Sequence, residues 1–212
     1  ITWTDEEGGL WYRRKISSAE WSEVYHIYSP GPLPFVPHVN SPPSIVVIPS
    51  APADLVHILV TLSRRPYPPI NEELICSLED YTFPIIYPYD GIFDLIEEEI
   101  GVYHSYPSIA KDYQNRLHAV WQRGDAVCYA TKAVGQSWCN QGPQFDDEGL
   151  QSAHPFVETY GDSVFILWQR QEPPSMMEEV YRASRYLREP FLSPNWGNFS
   201  LTPNAPSLYP VN

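Results

Sequence analysis

The apolar residues of the chain fall in short runs that are separated by polar turns, and one run recurs. An apolar run that begins at Leu117 and another that begins at Val164 both end in Trp-Gln-Arg. Each is followed by a short polar gap and then by a run centred on Tyr129 or on Tyr181. The runs are apolar on one face and mixed on the other, which is typical of β-strands in packed sheets. The pattern therefore predicts a repeated unit of short strands.

The similarity between the two stretches extends in both directions. Upstream, Pro107 aligns with Pro155 and Trp121 with Trp168, and downstream each copy reaches a closing tryptophan. The unit is a strand led by proline, a polar turn, an apolar strand that often ends in tryptophan, a strand centred on tyrosine and a last strand near a tryptophan. The residues that define the repeat are Trp3, Trp121, Trp168, Tyr12, Tyr129, Tyr181, Trp21, Trp138 and Trp196.

Two further copies follow once the unit is known, one at the N-terminus and one from Ser41. A four-stranded unit of about 45–50 residues has the period of a propeller blade. The N-terminal copy starts at its second strand and the C-terminus supplies only a first strand, so the two ends can share one blade and remove an exposed edge. The prediction is a single domain, 1–212, with units at 1–40 (completed by 205–212), 41–104 (with an insertion near 66–102), 105–152 and 153–204.

The predicted fold class is all-β, a β-propeller of four-stranded antiparallel blades, with four blades and one blade shared between the termini. One alternative is an arc of a larger propeller. A second alternative is an α+β fold, because "IIYPYDGIFDLIEEEIG" and "MMEEVYRASRYL" contain helix-forming residues. The register of the second segment with "DAVCYATKA" favours a strand there.

Two segments carry a family resemblance. "ITWTDEEGGLWYRRKISSAEW" and "PSIAKDYQNRLHAVWQRGDAVCYATKAVGQSW" resemble the repeats of the sialidase-like, or BNR, propeller superfamily, in which a strand ending in Trp is followed by a Tyr-Arg strand and a turn leading to Trp. The repeats are degenerate, because the Asp-box pattern Ser-x-Asp-x-Gly-x-Thr-Trp is absent. The resemblance implies an arginine cluster in catalytic members, whereas the arginines here occupy repeat-equivalent positions: Arg13, Arg123, Arg170 and Arg182. That recurrence favours a structural role, and we predict no catalytic residues.

Composition and charge narrow the choice of partner. The chain has 23 prolines and 14% aromatic residues, which favours many short strands and turns. With 26 acidic and 13 basic residues its formal net charge is -13, which opposes binding to nucleic acid. No apolar stretch is long enough for a membrane span.

The N-terminus, the cysteines and one asparagine bear on location, disulfide bonding and glycosylation. The chain begins at Ile1 without a signal sequence, so we expect a mature or excised segment, and an extracellular or periplasmic location. A hairpin can bring Cys128 and Cys139 together as a disulfide, with free thiols as the alternative. Asn198 begins a tripeptide that fits an N-glycosylation acceptor.

Exposed aromatic residues in the inserted segment are the predicted binding residues, and they are Tyr67, Tyr87, Tyr89 and Phe93. Aromatic rings present contact area to a sugar or a protein at a low entropic cost, and the alternative is that these four form a small core of their own. No cofactor is predicted, although acidic clusters at 5–7, 97–99 and 146–148 leave calcium open. His57 and His118 occupy one position of the repeat, which predicts that both lie near a strand start and are satisfied by neighbours.

These observations predict a non-catalytic binding or scaffolding propeller, secreted or on a cell surface, with a protein or carbohydrate ligand and an undefined oligomeric state. The alternatives are a glycoside hydrolase of the sialidase-like type and an accessory subunit of a larger extracellular assembly. A hydrolase needs a carboxyl group with a raised pKa. An accessory subunit needs a large apolar surface.

Overall fold

The computed structural model describes residues 1–5, 9–28, 38–64, 74–85, 91–145, 151–161, 163–172, 177–186 and 197–200. These residues contain β-strands and no helix. The chain divides into two compact units, Ile1–Pro107 and Ser108–Asn212.

Unit 1 holds two antiparallel sheets. The first has the order β1-β2-β3, formed by β1 (Thr2–Thr4), β2 (Leu10–Tyr12) and β3 (Tyr25–Tyr28). The second has the order β4-β6-β7-β8, and β5 also pairs with β6. Its strands are β4 (His38–Val39), β5 (Ser44–Ile48), β6 (Leu55–Arg64), β7 (Ile75–Pro84) and β8 (Ile92–Ile100). β6 is buried along nearly its whole length, as expected for a central strand of aliphatic and β-branched residues.

The core of unit 1 joins its two sheets. Tyr12 of the first sheet meets Phe83 of the second edge-to-face, with ring centroids 5.2 Å apart. Such an arrangement of two buried rings adds to the stabilisation from area burial. The buried residues of this core are Leu10, Tyr12, Tyr25, Val56, Ile58, Val60, Leu62 and Phe83.

Unit 2 is built from two antiparallel meanders, β12-β11-β10-β9 and β13-β14-β15-β16. The first uses β9 (His104–Lys111), β10 (Leu117–Arg123), β11 (Ala126–Lys132) and β12 (Cys139–Phe145). The first four residues of β9 fall within unit 1. The second uses β13 (Gln151–Tyr160), β14 (Ser163–Glu172), β15 (Met177–Tyr186) and β16 (Gly197–Ser200). The core residues of this unit are Ala110, Val120, Val127, Tyr129, Val157, Val164, Ile166 and Trp168.

The all-β prediction is confirmed, and the α+β alternative is wrong for the described residues. The two segments with helix-forming residues supply the strands β8 and β15. Both become strands because each pairs along its length with a neighbouring strand, and this pairing outweighs local propensity. The segment predicted as an insertion near 66–102 contributes β7 and β8 to the second sheet. The ring of four blades stays a prediction.

The residues that define the repeat lie in several settings. Trp121 and Trp168 are both buried, and each lies in the second strand of its meander. Trp168 pairs with Tyr181, whereas Tyr129 pairs with Val120, so the two tyrosines differ by one position relative to the tryptophans. Trp3 lies in β1, Tyr12 in β2, Trp21 in an isolated bridge with Lys15, and Trp138 just before β12. Trp196 lies outside the described residues.

All three cysteines are free thiols. Cys139 pairs with Thr131, which is three residues, or about 10 Å, along β11 from Cys128. This separation exceeds the reach of a disulfide, so the hairpin disulfide does not form and the alternative of free thiols holds. Cys76 is buried, and burial raises the pKa of its thiol although a hydrogen bond with the backbone of His104 opposes the shift.

Candidate binding site

A pocket of about 170 Å³ opens in unit 1 between β3, β7 and the start of β8. Its lining combines aromatic and aliphatic side chains with a nearly equal share of polar surface. The lining residues are His26, Ile27, Tyr81, Phe83, Gly91, Ile92 and Phe93.

Strand pairing positions the pocket residues. Tyr81 of β7 lies opposite Phe93 of β8, and their ring centroids are 6.1 Å apart. The hydroxyl of Tyr81 donates a hydrogen bond of 2.9 Å to the carboxylate of Glu79, which also accepts one of 3.1 Å from Ser77. Glu79 is buried. The Tyr81 ring is therefore held in place by a satisfied polar network beneath the pocket.

A second chain of contacts holds the opposite wall. His26 stacks on Trp11, with ring centroids 4.0 Å apart and planes 18° from parallel. The indole N–H of Trp11 donates a hydrogen bond of 2.6 Å to Asp5. Packing on Trp11 therefore fixes the imidazole of His26, which lines the pocket.

The structure places one of the four predicted binding residues at this pocket. Phe93 lines it and is 62% exposed. Tyr67, Tyr87 and Tyr89 lie outside the described residues. The sequence prediction missed His26 and Tyr81. The alternation in "DYTF" puts Tyr81 and Phe83 on one face, whereas His26 and Ile27 are adjacent in β3 and alternation does not indicate that both line a pocket.

A buried aspartate organises the turn between β9 and β10. The Asp112 carboxylate accepts hydrogen bonds from the amides of Gln114 (2.8 Å) and Arg116 (2.9 Å) and from the Arg116 side chain (3.0 Å). Nε2 of His118 donates to the same carboxylate at 3.3 Å, and Nδ1 of that ring lies 2.7 Å from the Tyr129 hydroxyl. The imidazole of His118 is wholly buried and bonded on both sides.

A second aspartate, Asp5, makes hydrogen bonds at the same sequence spacing between β1 and β2. Asp5 accepts a hydrogen bond of 2.7 Å from the amide of Gly9, four residues on, and another from Trp11, six residues on. Arg116 and His118 are likewise four and six residues after Asp112. A Cβ at Gly9 would lie 2.8 Å from an Asp5 carboxylate oxygen, so a larger residue there would require the Asp5 side chain to shift. We call this arrangement the Asp turn.

The hydrogen bonds around Asp112 change the pKa of its carboxyl group. Burial acts to raise the pKa of this carboxyl, but the hydrogen bond from His118 and the amides of Arg116 and Gln114 outweigh burial. The charge of His118 acts in the same direction, and the pKa of Asp112 is lowered from its ordinary value.

This lowered pKa predicts a loss of stability in acid. An unfolded aspartate titrates near pH 3.9, so Asp112 contributes stability above about that pH, and the contribution disappears as pH falls through the folded value. We expect Asp112→Asn to flatten the decline of the free energy of unfolding between about pH 5 and about pH 3, measured by urea titration. An equal decline in both proteins would contradict the assignment.

A second buried histidine-carboxylate pair lies in unit 1. Nδ1 of His57 in β6 is 3.0 Å from a carboxylate oxygen of Asp80 in β7, and the Thr82 hydroxyl lies 3.0 Å from the same nitrogen. Because both partners use one ring nitrogen, His57 has no geometry for relaying a proton between them. The prediction that His57 and His118 lie near strand starts and are satisfied by neighbours is confirmed.

In the part of the chain that the structure describes, no three His, Cys, Asp or Glu side chains lie close enough together to hold a metal ion. Of the acidic segments, Asp5 is bonded within its Asp turn and Glu97, Glu98 and Glu99 lie along β8. Residues 146–148 lie outside the described ranges.

A scan against models of known protein families finds no match for this chain, and a search of curated proteins finds no matching relative. The described ranges contain no helix that is long and apolar enough to cross a membrane. The sialidase-like resemblance therefore stays a prediction that rests on the repeated aromatic segments.

Proposed function

We propose that the protein is a non-catalytic binding module, secreted or on a cell surface, which takes a protein or carbohydrate ligand at the pocket between β3, β7 and β8. The proposed architecture is a four-bladed propeller with sialidase-like repeats. The two four-stranded meanders of unit 2 support this architecture, because such a meander is the unit of a propeller blade.

The pocket is the observation that carries the functional proposal. Its aromatic side chains and its exposed rim at Ile92 and Phe93 suit a ligand with a flat apolar face. His26 supplies a polar contact for such a ligand. The volume of about 170 Å³ is below the roughly 300 Å³ at which pockets for whole small ligands begin. The pocket therefore fits one protruding group, a sugar ring or a side chain, of a larger ligand.

The observations on buried carboxylates favour binding over glycoside hydrolysis. A general acid of a glycosidase needs a raised pKa. The pKa of Asp112 is lowered, and the buried carboxylates of Asp80 and Glu79 accept hydrogen bonds from neighbouring side chains.

The test uses small probes that represent the two ligand classes, methyl glycosides and N-acetyl amino-acid amides. We expect probes of at least one class to shift the amide NMR signals of Tyr81, Ile92 and Phe93. Phe93→Ala should weaken that binding about tenfold, because one ring wall of the pocket is lost.

Phe156→Ala is the matched control, since Phe156 is an exposed phenylalanine of unit 2 that does not line the pocket. This variant should bind the probes as the unmodified protein does. Probe binding that survives Phe93→Ala, or no signal shift with either class, would refute the proposal.

A further inference from the structure

A short hairpin follows β2 in unit 1, and we call residues 13–22 the Trp21 hairpin. Lys15 and Trp21 lie opposite each other across it in an isolated β-bridge. The amide of Ile16 donates a hydrogen bond of 2.9 Å to the backbone oxygen of Glu20, which closes the turn. Backbone hydrogen bonds therefore place the lysine beside the tryptophan.

Two cations lie over the indole ring of Trp21. The guanidinium carbon of Arg13 is 5.7 Å from the ring centroid, and Nζ of Lys15 is 6.0 Å from it. Nε of Arg13 also donates a hydrogen bond of 2.7 Å to the backbone oxygen of Ser22, which orients the guanidinium. An aromatic ring attracts a cation through its quadrupole but carries no net charge. The two cations are therefore held in place without being neutralised.

The cluster is not neutralised by carboxylates either. Among the residues that the structure describes, no ion pair includes Arg13, Arg14 or Lys15. Glu20 and Glu23 are close in sequence, but both are exposed and neither forms an ion pair with these cations in the described ranges. Three of the 13 basic residues are thus consecutive in a chain that has 26 acidic residues.

A hairpin in unit 2 contains the same contact between lysine and tryptophan. Nζ of Lys132 lies 5.7 Å from the ring centroid of Trp138. These residues come three and nine positions after Tyr129, the spacings that the lysine and tryptophan of the Trp21 hairpin have from Tyr12. The recurrence indicates that this contact is part of the fold of both hairpins.

The Trp21 hairpin differs from the second hairpin in its two arginines. Arg13 and Arg14 take the positions that Ala130 and Thr131 have in unit 2, and both of those residues are buried. A hairpin of this kind therefore folds without arginine at either position. The added positive charge favours a role in binding over a role in the fold.

Apolar surface accompanies the positive charge. Ile16, next to Lys15 at the turn, is 53% exposed, and Trp21 is 39% exposed. Tryptophan and arginine are the residue types enriched at the energetically dominant positions of protein interfaces. The Trp21 hairpin thus combines an exposed indole, an exposed aliphatic side chain and cations that lack a carboxylate partner among the described residues.

We propose that the Trp21 hairpin binds an acidic segment of a partner protein, in which glutamate or aspartate flanks an apolar residue. The carboxylates pair with Arg13 and Lys15, and the apolar residue covers the exposed surface of Ile16 and Trp21. This surface is separate from the proposed pocket, which none of these residues lines.

The net charge of the chain favours a short segment over an extended anionic surface. An anionic bilayer would meet the formal charge of -13 over a wide area, whereas a short segment meets only the hairpin. At physiological salt, exposed charges more than about 8 Å apart are largely screened from each other. The cations of the hairpin therefore determine whether a short acidic segment binds.

The test uses the full chain and two short synthetic peptides with blocked ends, one with leucine flanked by glutamates and one with leucine flanked by glutamines. We expect the glutamate peptide to shift the indole N–H signal of Trp21 and the amide signals of Lys15 and Ile16. The glutamine peptide should bind at least about tenfold more weakly. Binding of the glutamate peptide should weaken as sodium chloride is raised, since exposed charges are screened.

Charge variants test the role of the cations. Lys15→Gln should weaken the glutamate peptide about two- to fivefold, the range for one exposed ion pair, and Lys15→Arg, which keeps the charge, should retain binding. Lys132→Gln is the matched control, because it removes the same contact with a tryptophan in the hairpin of unit 2. This variant should bind the glutamate peptide as the unmodified protein does.

Two further variants separate the hairpin from the pocket. Trp21→Ala should weaken the glutamate peptide about tenfold and leave the small pocket probes unaffected, because Trp21 does not line the pocket. Phe93→Ala should have the opposite pattern. Loss of pocket binding alone would refute the proposed pocket and leave the hairpin site intact.

Three outcomes would overturn the inference. The first is equal affinity for the two peptides, and the second is unchanged binding in both Lys15→Gln and Trp21→Ala. The third is binding to phosphatidylserine vesicles that shifts the Trp21 signal while the glutamate peptide does not bind. That result would assign the hairpin to a membrane surface.

Discussion

Replacing Asp112 with alanine is expected to lower the free energy of unfolding of unit 2 by about 3–5 kcal/mol. Removing one partner of a buried ion pair leaves the other partner buried without its counter-charge. The Asp112 side chain is fully buried, and its loss leaves His118 and Arg116 without their shared acceptor. It also leaves two amides of the turn without their acceptor oxygen. The measurement is a urea titration followed by tryptophan fluorescence, since Trp121 and Trp168 are buried in this unit.

Asp125→Ala is the matched control, an exposed aspartate in the next turn of the same sheet. Its backbone carbonyl accepts the amide of Ser152 and is kept in the variant. We expect a change within about 0.5 kcal/mol, the range for surface substitutions without special contacts. Similar losses in the two variants would show that the network around Asp112 is not what stabilises the turn.

The Asp turn shows where reading the sequence falls short. Aspartate, the residue four positions on and the aromatic or histidine six positions on are all visible at Asp5, Gly9 and Trp11, and again from Asp112. The repeat is defined by its tryptophans and tyrosines, and these residues do not indicate the contacts within the turn. Because the turn depends on backbone amides converging on one carboxylate, side-chain periodicity carries little information about it.

The strands themselves were predictable because burial imposes a period on the side chains. Trp121 and Trp168 end apolar runs, and both are buried as the runs indicate. The register of the following strand was less predictable, because it depends on the connection between the strands. β10 and β11 are joined by the two residues Gly124 and Asp125, whereas a longer connection joins β14 to β15.

The candidate site was only partly predictable because it depends on neighbours that are distant in sequence. Phe93 was predicted, but the pocket also needs β3 to lie beside β7 and β8, and periodicity does not specify that arrangement. The faces of β8 depend on a bulge, since strict alternation from Leu95 would put Ile100 on the other side of the strand. Both features follow from strand pairing and not from composition.

Replacing Trp121 with alanine is expected to lower the free energy of unfolding by about 3–5 kcal/mol, the cost of removing a buried aromatic side chain and leaving a cavity. Trp121 has no exposed surface and lies in the central part of its meander, paired with Cys128. Trp121→Phe should cost less, because a ring still fills part of the space. The measurement is a urea titration followed by circular dichroism, which does not depend on the deleted chromophore.

Trp21→Ala tests whether the stability lost in Trp121→Ala comes from buried packing or from the loss of any tryptophan. Trp21 is 39% exposed, and Arg13 and Lys15 lie over its ring at 5.7 and 6.0 Å. Exposed contacts of a cation with an aromatic ring contribute about 0.5–1 kcal/mol each, so this variant should lose much less stability than Trp121→Ala. If the two alanine variants lost equal stability, the Trp-Gln-Arg run would not owe its recurrence to a buried position. A large difference would show that Trp121 stabilises the fold through its buried position; in the structure Trp121 is fully buried and Trp168 packs in the core of unit 2.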